Sequence, residues 1–189
     1  VGSRKRPSAM NNRVVIILTA AGIMAYALTR RAVADVGGTD ASLPVYGASP
    51  FDALYTATGA RYGVDAKLLR AIAIVESGEN PSAFNDADVP GYGGSTGLMQ
   101  VMCDANGPDS RCRNNLPAVK GWPPLAKELY DPETNLDFAA QILAWNIRQY
   151  GTLRGIAVYN RWDSRNDPPE GPFGNQNYVD RVMQAYALL

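Results

Sequence analysis

The sequence of 189 residues contains no histidine and only two cysteines. Without an imidazole, Ser-His-Asp and Cys-His nucleophilic catalysis are excluded. A metal centre is not expected either, because there is no close Cys-x-x-Cys pair to replace the missing histidines; no cofactor is expected. Acidic residues are missing from the first 34 positions, where Arg4, Lys5, Arg6, Arg13, Arg30 and Arg31 carry all the charge. The formal net charge of zero therefore hides a split, with 12 basic against 18 acidic residues downstream, a net of −6. Such a domain repels a phosphate backbone, so nucleic acid is not an expected partner. Sustained strand-like alternation and internal repeats are also absent, which points to a mainly α fold. At 46% hydrophobic and 19% charged residues, the chain suits one globular domain with an appendage.

The appendage contains an uncharged and largely apolar run of 16 residues, 14–29, from Val14 to Thr29. It is slightly short for a spanning helix, but the flanking arginines can extend it by reaching to the headgroups. We read it as a single transmembrane anchor. Four basic residues upstream against two downstream place the amino end in the cytoplasm and the domain in the periplasm or outside the cell. Ala32-Val33-Ala34 has the small-x-small form of a signal-peptide cleavage site, which keeps a signal reading open, whereas Arg30 and Arg31 resemble a stop-transfer flank. Either reading exports the domain. The expected organisation is a basic tail at 1–13, the anchor or uncleaved signal at 14–29, a linker at 30–48 with three glycines and a proline, and a domain at 49–189. In an exported domain Cys103 and Cys112, with eight residues between them in a polar loop, are compatible with a small disulfide, with two free thiols as the alternative.

Within the domain, Ser49-Pro50 reads as a helix start, with Ser as cap and Pro in the first turn, and Gly59 to Gly63 as the stop. Asp65 is placed to cap a second helix running from Ala66 to about Glu76, before Ser77-Gly78 and Asn80-Pro81 end it. The glycine-rich stretch from Phe84 to Thr96 reads as an irregular loop, and Leu98 to Met102 as a further helix start or a cleft wall. Asp131-Pro132 opens a long amphipathic helix closed by Gly151. Shorter helices follow from Thr152 to Tyr159 and from Tyr178 to Leu189.

Glu76 is out of place. It closes the nearly continuous apolar run that begins at Leu68, where a carboxylate has no packing role. Burial and the negative end of the helix dipole both disfavour its ionised form and raise its pKa toward the range of a general acid near neutral pH. By itself, Glu76-Ser77 is a weak signal, because a Glu at a helix end is commonly solvated.

The residues that follow carry more weight. Gly97-Leu98-Met99-Gln100, Asn135 in its helix start, Ala157-Val158-Tyr159-Asn160 and Tyr178-Val179 stand in the order of the soluble lytic transglycosylase family, which residues 51–189 resemble. The resemblance implies a lysozyme-like helical fold with a cleft for peptidoglycan glycan strands. It implies Glu76 as the sole acid and base, cleaving the bond between N-acetylmuramic acid and N-acetylglucosamine to leave a 1,6-anhydro sugar. It further implies that Ser77 hydrogen-bonds near the site, that Gly97 allows close approach of the sugar, and that Leu98, Met99 and Gln100 line the cleft. Tyr159 and Asn160 would form its floor, with the Tyr159 phenol on Glu76 or substrate, and Tyr178 would stand at its edge. Trp122, Trp145 and Trp162 offer rings for stacking on sugars, although Trp145 in its apolar helix reads as core.

The chain departs from the family pattern in two places. The spacing from Glu76 to Gln100 is enlarged by the stretch around Asp86 to Tyr92, and Gly174 stands where relatives often carry Glu, a role Glu170 is the nearest residue to fill. Asp86 or Asp88 as a second carboxylate would activate water and make the domain a hydrolase of the goose-type lysozyme kind; turn-forming residues are the plainer reading. A non-catalytic, membrane-anchored wall-binding protein is the rival from another class. An anchored enzyme of this kind would open the wall locally, for a secretion or conjugation apparatus or for phage entry, with the proteins of that apparatus or virion as partners.

Overall fold

A computed structural model describes residues 46–86, 94–103, 109–112 and 123–189. The basic tail, the segment 14–29 and most of the linker lie outside the described residues, as do Asp88 and Trp122. Among the described residues no helix is long and apolar enough to cross a membrane.

The fold is mainly helical. Helix α1 spans Asp52–Tyr62 and α2 spans Ala66–Ser77; after a small sheet and a 3₁₀ helix at Ala126–Tyr130 come α3 at Pro132–Tyr150, α4 at Thr152–Asn160, a 3₁₀ helix at Trp162–Asn166 and α5 at Gln176–Leu188. The start of α1 differs from the expectation. Ser49 and Asp52 engage each other, Ser49 N donating to Asp52 Oδ2 at 2.9 Å and Asp52 N to the Ser49 carbonyl at 3.2 Å. This closes a turn over Pro50, so helical geometry begins two residues after the proline and without a side-chain cap.

The bounds of α2 follow directly from its end residues. Asp65 Oδ1 accepts from Lys67 N at 2.8 Å, satisfying one of the donors that a helix start leaves unpaired. At the other end Gly78 turns left-handed, with φ 65°, so that its N–H reaches the Ile74 carbonyl and Glu79 N–H reaches that of Ala73. The last turn therefore stops one residue beyond Glu76.

Where an irregular loop is expected, the chain forms a three-stranded antiparallel sheet: β1 Phe84–Asn85, β2 Ser95–Thr96 and β3 Val101–Met102. Phe84 pairs with Thr96, Asn85 with Ser95, Ser95 with Met102 and Thr96 with Val101. Strands of two residues have no alternation to read, which is why periodicity misses them. Leu98 to Met102 opens no helix; it supplies a tight turn and then β3. Next to β3, Cys103 and Cys112 form a disulfide and both are buried.

Asp131 caps α3 as its sequence indicates, accepting from Thr134 N at 2.8 Å with Pro132 in the first turn. After Gly151, α4 folds back against α3. Gly155 permits the contact, since a Cβ there would lie 2.9 Å from Ile147 Cα. Helix α5 begins two residues earlier than expected, at Gln176. It packs against α2 and α4, and α1 lies on α2 and α3. Leu69, Ile72, Leu136, Leu143, Ile156 and Val179 are fully buried where these faces meet. Each contributes roughly 2 kcal/mol by leaving water. The same packing fixes the carboxyl-terminal turn of α2 against the amino-terminal turn of α5.

Candidate active site

Glu76 sits in the last turn of α2, half-buried beneath α5. Tyr178 Oη donates to Glu76 Oε1 at 2.7 Å. One turn further along α5, Arg181 Nη2 donates to the Val75 carbonyl at 3.1 Å, pairing one of the carbonyls that a helix end leaves without a partner. Burial pushes the Glu76 carboxyl from 4.5 up to about 7, outweighing the Tyr178 hydrogen bond and the Arg181 charge, which both favour its ionised form. Burial, followed by the charge of Glu76, also drives the Tyr159 and Tyr178 phenols well above their ordinary value. Both tyrosines therefore stay neutral donors at neutral pH.

The turn Gly97 to Gln100 lies against this helix end. Ser77 Oγ donates to the Leu98 carbonyl at 2.7 Å and to the Ala73 carbonyl at 3.2 Å, so Ser77 fastens the turn to α2. Tyr159 Oη donates to the Met99 carbonyl at 2.8 Å. Of the two partners expected for this phenol, Glu76 or substrate, Glu76 is bonded by Tyr178 instead. Leu98 and Met99 are fully buried; their side chains pack in the core and present no wall to a cleft, while their carbonyls hold Ser77 and Tyr159.

Gln100 adopts φ 47°, a left-handed conformation that costs a non-glycine residue of order 1 kcal/mol and often accompanies function. Its Nε2 donates to the Gly97 carbonyl at 3.0 Å and to that of Ala83 at 3.3 Å. Its Oε1 is left without a partner among the described residues. Gly97 has a structural reason other than the expected approach of a sugar. With φ 78°, a Cβ there would collide with the Leu129 carbonyl and with Asn135 Nδ2.

Asn135 organises this region. Fully buried, it donates through Nδ2 to the carbonyls of Thr96 at 2.8 Å and Leu129 at 3.0 Å, and accepts from Met99 N at 2.8 Å. One amide thereby ties the turn to the start of α3.

Asn160 is exposed, and its Oδ1 accepts from Asn175 Nδ2 at 2.9 Å. Asn175 also donates to the Ala157 carbonyl at 2.9 Å and accepts from Ser164 Oγ at 3.0 Å. Asn175 and Arg181 are the residues missed in the sequence reading; Arg181 lies one helical turn beyond Tyr178, a spacing that marks a shared face. Arg161 Nη1 donates to the Gly174 carbonyl at 3.1 Å, and a Cβ at Gly174 would lie 2.6 Å from that nitrogen. A side chain at this position would therefore have to displace the flexible end of Arg161. Glu170 and Asp86 are both exposed. Trp145, expected in the core, is only part-buried and stacks on exposed Trp162.

The structure thus gathers Glu76, Tyr178, Tyr159, Ser77 and the Gly97–Gln100 turn at one end of α2. What the arrangement offers chemically is a half-buried carboxyl that is part protonated near neutral pH, held by a neutral phenol that can stabilise it once ionised.

The sequence profile of the transglycosylase SLT domain matches residues 53–176. Among solved structures, the 70 kDa soluble lytic transglycosylase of Escherichia coli is similar at 23% identity and a TM-score of 0.49, covering 73% of this chain and 24% of that one. This chain therefore spans about a quarter of that protein's length. The matched range includes Glu76, the Gly97–Gln100 turn and the Tyr159–Asn160 pair and stops two residues short of Tyr178. Since it runs over well more than half of the sequence, the chain belongs to the transglycosylase SLT domain family.

Proposed function

We propose that this chain is a peptidoglycan lytic transglycosylase in which Glu76 serves as both acid and base. The observation that carries the reading is the Glu76 carboxyl, raised to about 7 by burial and bonded to Tyr178. In the first half of the reaction protonated Glu76 gives its proton to the glycosidic oxygen between N-acetylmuramic acid and N-acetylglucosamine. The C1–O bond breaks, and the carboxylate left behind is stabilised by the Tyr178 hydroxyl and the Arg181 charge. In the second half the muramyl 6-hydroxyl attacks C1, and Glu76 takes its proton. The bond formed is C1–O6, Glu76 returns to its protonated state, and no water is consumed.

A carboxyl with these two duties works best with a pKa near the working pH, because each half needs the opposite form. Opposing influences supply that balance here: burial raises the pKa, while Tyr178 and Arg181 lower it. A single carboxylate suffices because the substrate provides the nucleophile, in contrast to glycosidases with an acid and a second carboxylate. Gln100, whose Oε1 has no partner among the described residues and whose backbone is left-handed, is the residue we assign to an acetamido N–H of the substrate.

In this reading residues 14–29 anchor the domain on the outer side of a bacterial membrane, so cleavage is confined to nearby wall, as suits a secretion or conjugation apparatus or phage entry. Digestion of purified peptidoglycan followed by mass spectrometry of the muropeptides tests the chemistry. Wild-type chain should release 1,6-anhydromuramyl products and Glu76→Gln none. Reducing-end products would instead mark a hydrolase with a water-activating carboxylate such as Asp86, and full activity in Glu76→Gln would remove Glu76 from the mechanism.

A further inference from the structure

Trp162 opens the 3₁₀ helix Trp162–Asn166, two residues after Asn160, and is 45% exposed. An indole left in water forfeits the burial that a tryptophan normally brings to a fold. The ring is nonetheless held in place. It stacks on Trp145 with centroids 6.4 Å apart and planes inclined by 20°, and Trp145 meets Tyr150 edge-on at 5.9 Å. The Arg165 guanidinium lies 4.6 Å from the Trp162 ring centre, within cation–π range.

The segment that carries Trp162 is also tied to the site. Ser164 Oγ donates to Asn175 Oδ1 at 3.0 Å. The same Asn175 donates to Asn160 at 2.9 Å, and it stands three residues before Tyr178. A stiffened indole with open surface is therefore set in the chain segment that joins Tyr159–Asn160 to the start of α5.

We propose that Trp162, backed by Trp145, forms a glycan subsite that stacks on the apolar face of one N-acetylhexosamine unit of the bound strand. This rests on the reading of the domain as a glycan-strand enzyme. A pyranose presents a face of C–H bonds edged by hydroxyl groups. An aromatic ring covers the first, and donors at the ring's margin meet the second. The Arg165 guanidinium, lying over the Trp162 ring, supplies such donors beside the part of the indole left exposed. A single ring matches the footprint of one sugar, whereas a stable protein partner buries about 800 Å² on each side. Stacking on Trp145 restricts the indole before any ligand arrives, so little further order is lost on binding.

The test uses the full chain carrying Glu76→Gln, titrated with the β-1,4-linked tetramer of N-acetylglucosamine and followed by calorimetry and tryptophan fluorescence. Adding Trp162→Ala should weaken binding roughly tenfold without changing the melting temperature, and Trp162→Phe by about threefold. Trp162→Phe should also lose the sugar-induced fluorescence change, and this carries the test if the alanine variant folds poorly. Binding within twofold of the parent in Trp162→Ala, an unchanged fluorescence response in Trp162→Phe, or no binding by the parent would each overturn the subsite. Muropeptide release by the wild-type chain is read separately. Release together with unaltered sugar binding in Trp162→Ala removes only the subsite; no release removes the enzymatic reading, while the titration still reports on Trp162.

Discussion

Replacing Glu76 by Gln should make the domain more stable above pH 7 and leave its stability unchanged below about pH 4.5. The carboxyl titrates at 4.5 when free and at about 7 in the fold, so the native state binds more protons than the unfolded state between these values. Stability then falls as pH rises through that window, because its slope follows the protons bound by the unfolded state minus those bound by the native state. At 1.36 kcal/mol per pKa unit, the burden of the ionised carboxyl reaches about 2–3 kcal/mol at pH 8, the lower figure allowing for its partial exposure. Gln carries no such burden and still offers Tyr178 an acceptor oxygen. For a domain of this size the gain corresponds to roughly 5–10 °C in Tm. The assay is urea or thermal unfolding of both chains from pH 4 to pH 8.5, compared as a difference so that all other titrating groups cancel. A difference that does not grow with pH would refute the argument that burial governs Glu76.

Cleavage by the wild-type chain should decline above pH 7 as Glu76 loses its proton, and Tyr178→Phe, lacking the donor that favours the ionised form, should move that limb of the kcat/KM profile upward while lowering the rate; an unmoved limb would detach Tyr178 from Glu76. Asn135→Ala strands the carbonyls of Thr96 and Leu129 and the Met99 N–H, so denaturant unfolding should show a loss of about 3–5 kcal/mol. The Cys103–Cys112 bond closes a separation of nine residues, so replacing both by Ser should cost about 2–3 kcal/mol in the unfolding of non-reduced protein, and an equal stability of the two chains would contradict a formed disulfide.

The parts of the fold legible in the sequence are those whose signals are local. Asp65 and Asp131 announce helix starts because capping needs only a side-chain oxygen and the next few N–H groups. Gly78 and Gly151 announce ends because a positive φ suits glycine. Glu76 was conspicuous because a carboxylate interrupts an apolar face. Partner choice between distant residues was not legible. Whether Tyr159 or Tyr178 meets Glu76 depends on how α4 and α5 cross, and the sequence holds no local record of that angle. Likewise Leu98 and Met99 read as cleft residues until the packing of α3 shows them enclosed, with only their carbonyls serving the site. The sheet escaped notice because two-residue strands leave no period, and the cap expected of Ser49 is not made because its hydroxyl donates to Glu79 Oε1 at 2.6 Å, thirty positions away in the sequence.

The central claim is that the substrate's own hydroxyl, and not water, attacks the sugar that Glu76 releases. Digesting peptidoglycan in water enriched in heavy oxygen and weighing the muropeptides addresses it directly. Transglycosylation predicts products whose muramyl ends are lighter than a reducing end by one water and carry no heavy oxygen. Products bearing one heavy oxygen at C1 would show that water is the nucleophile and contradict the account.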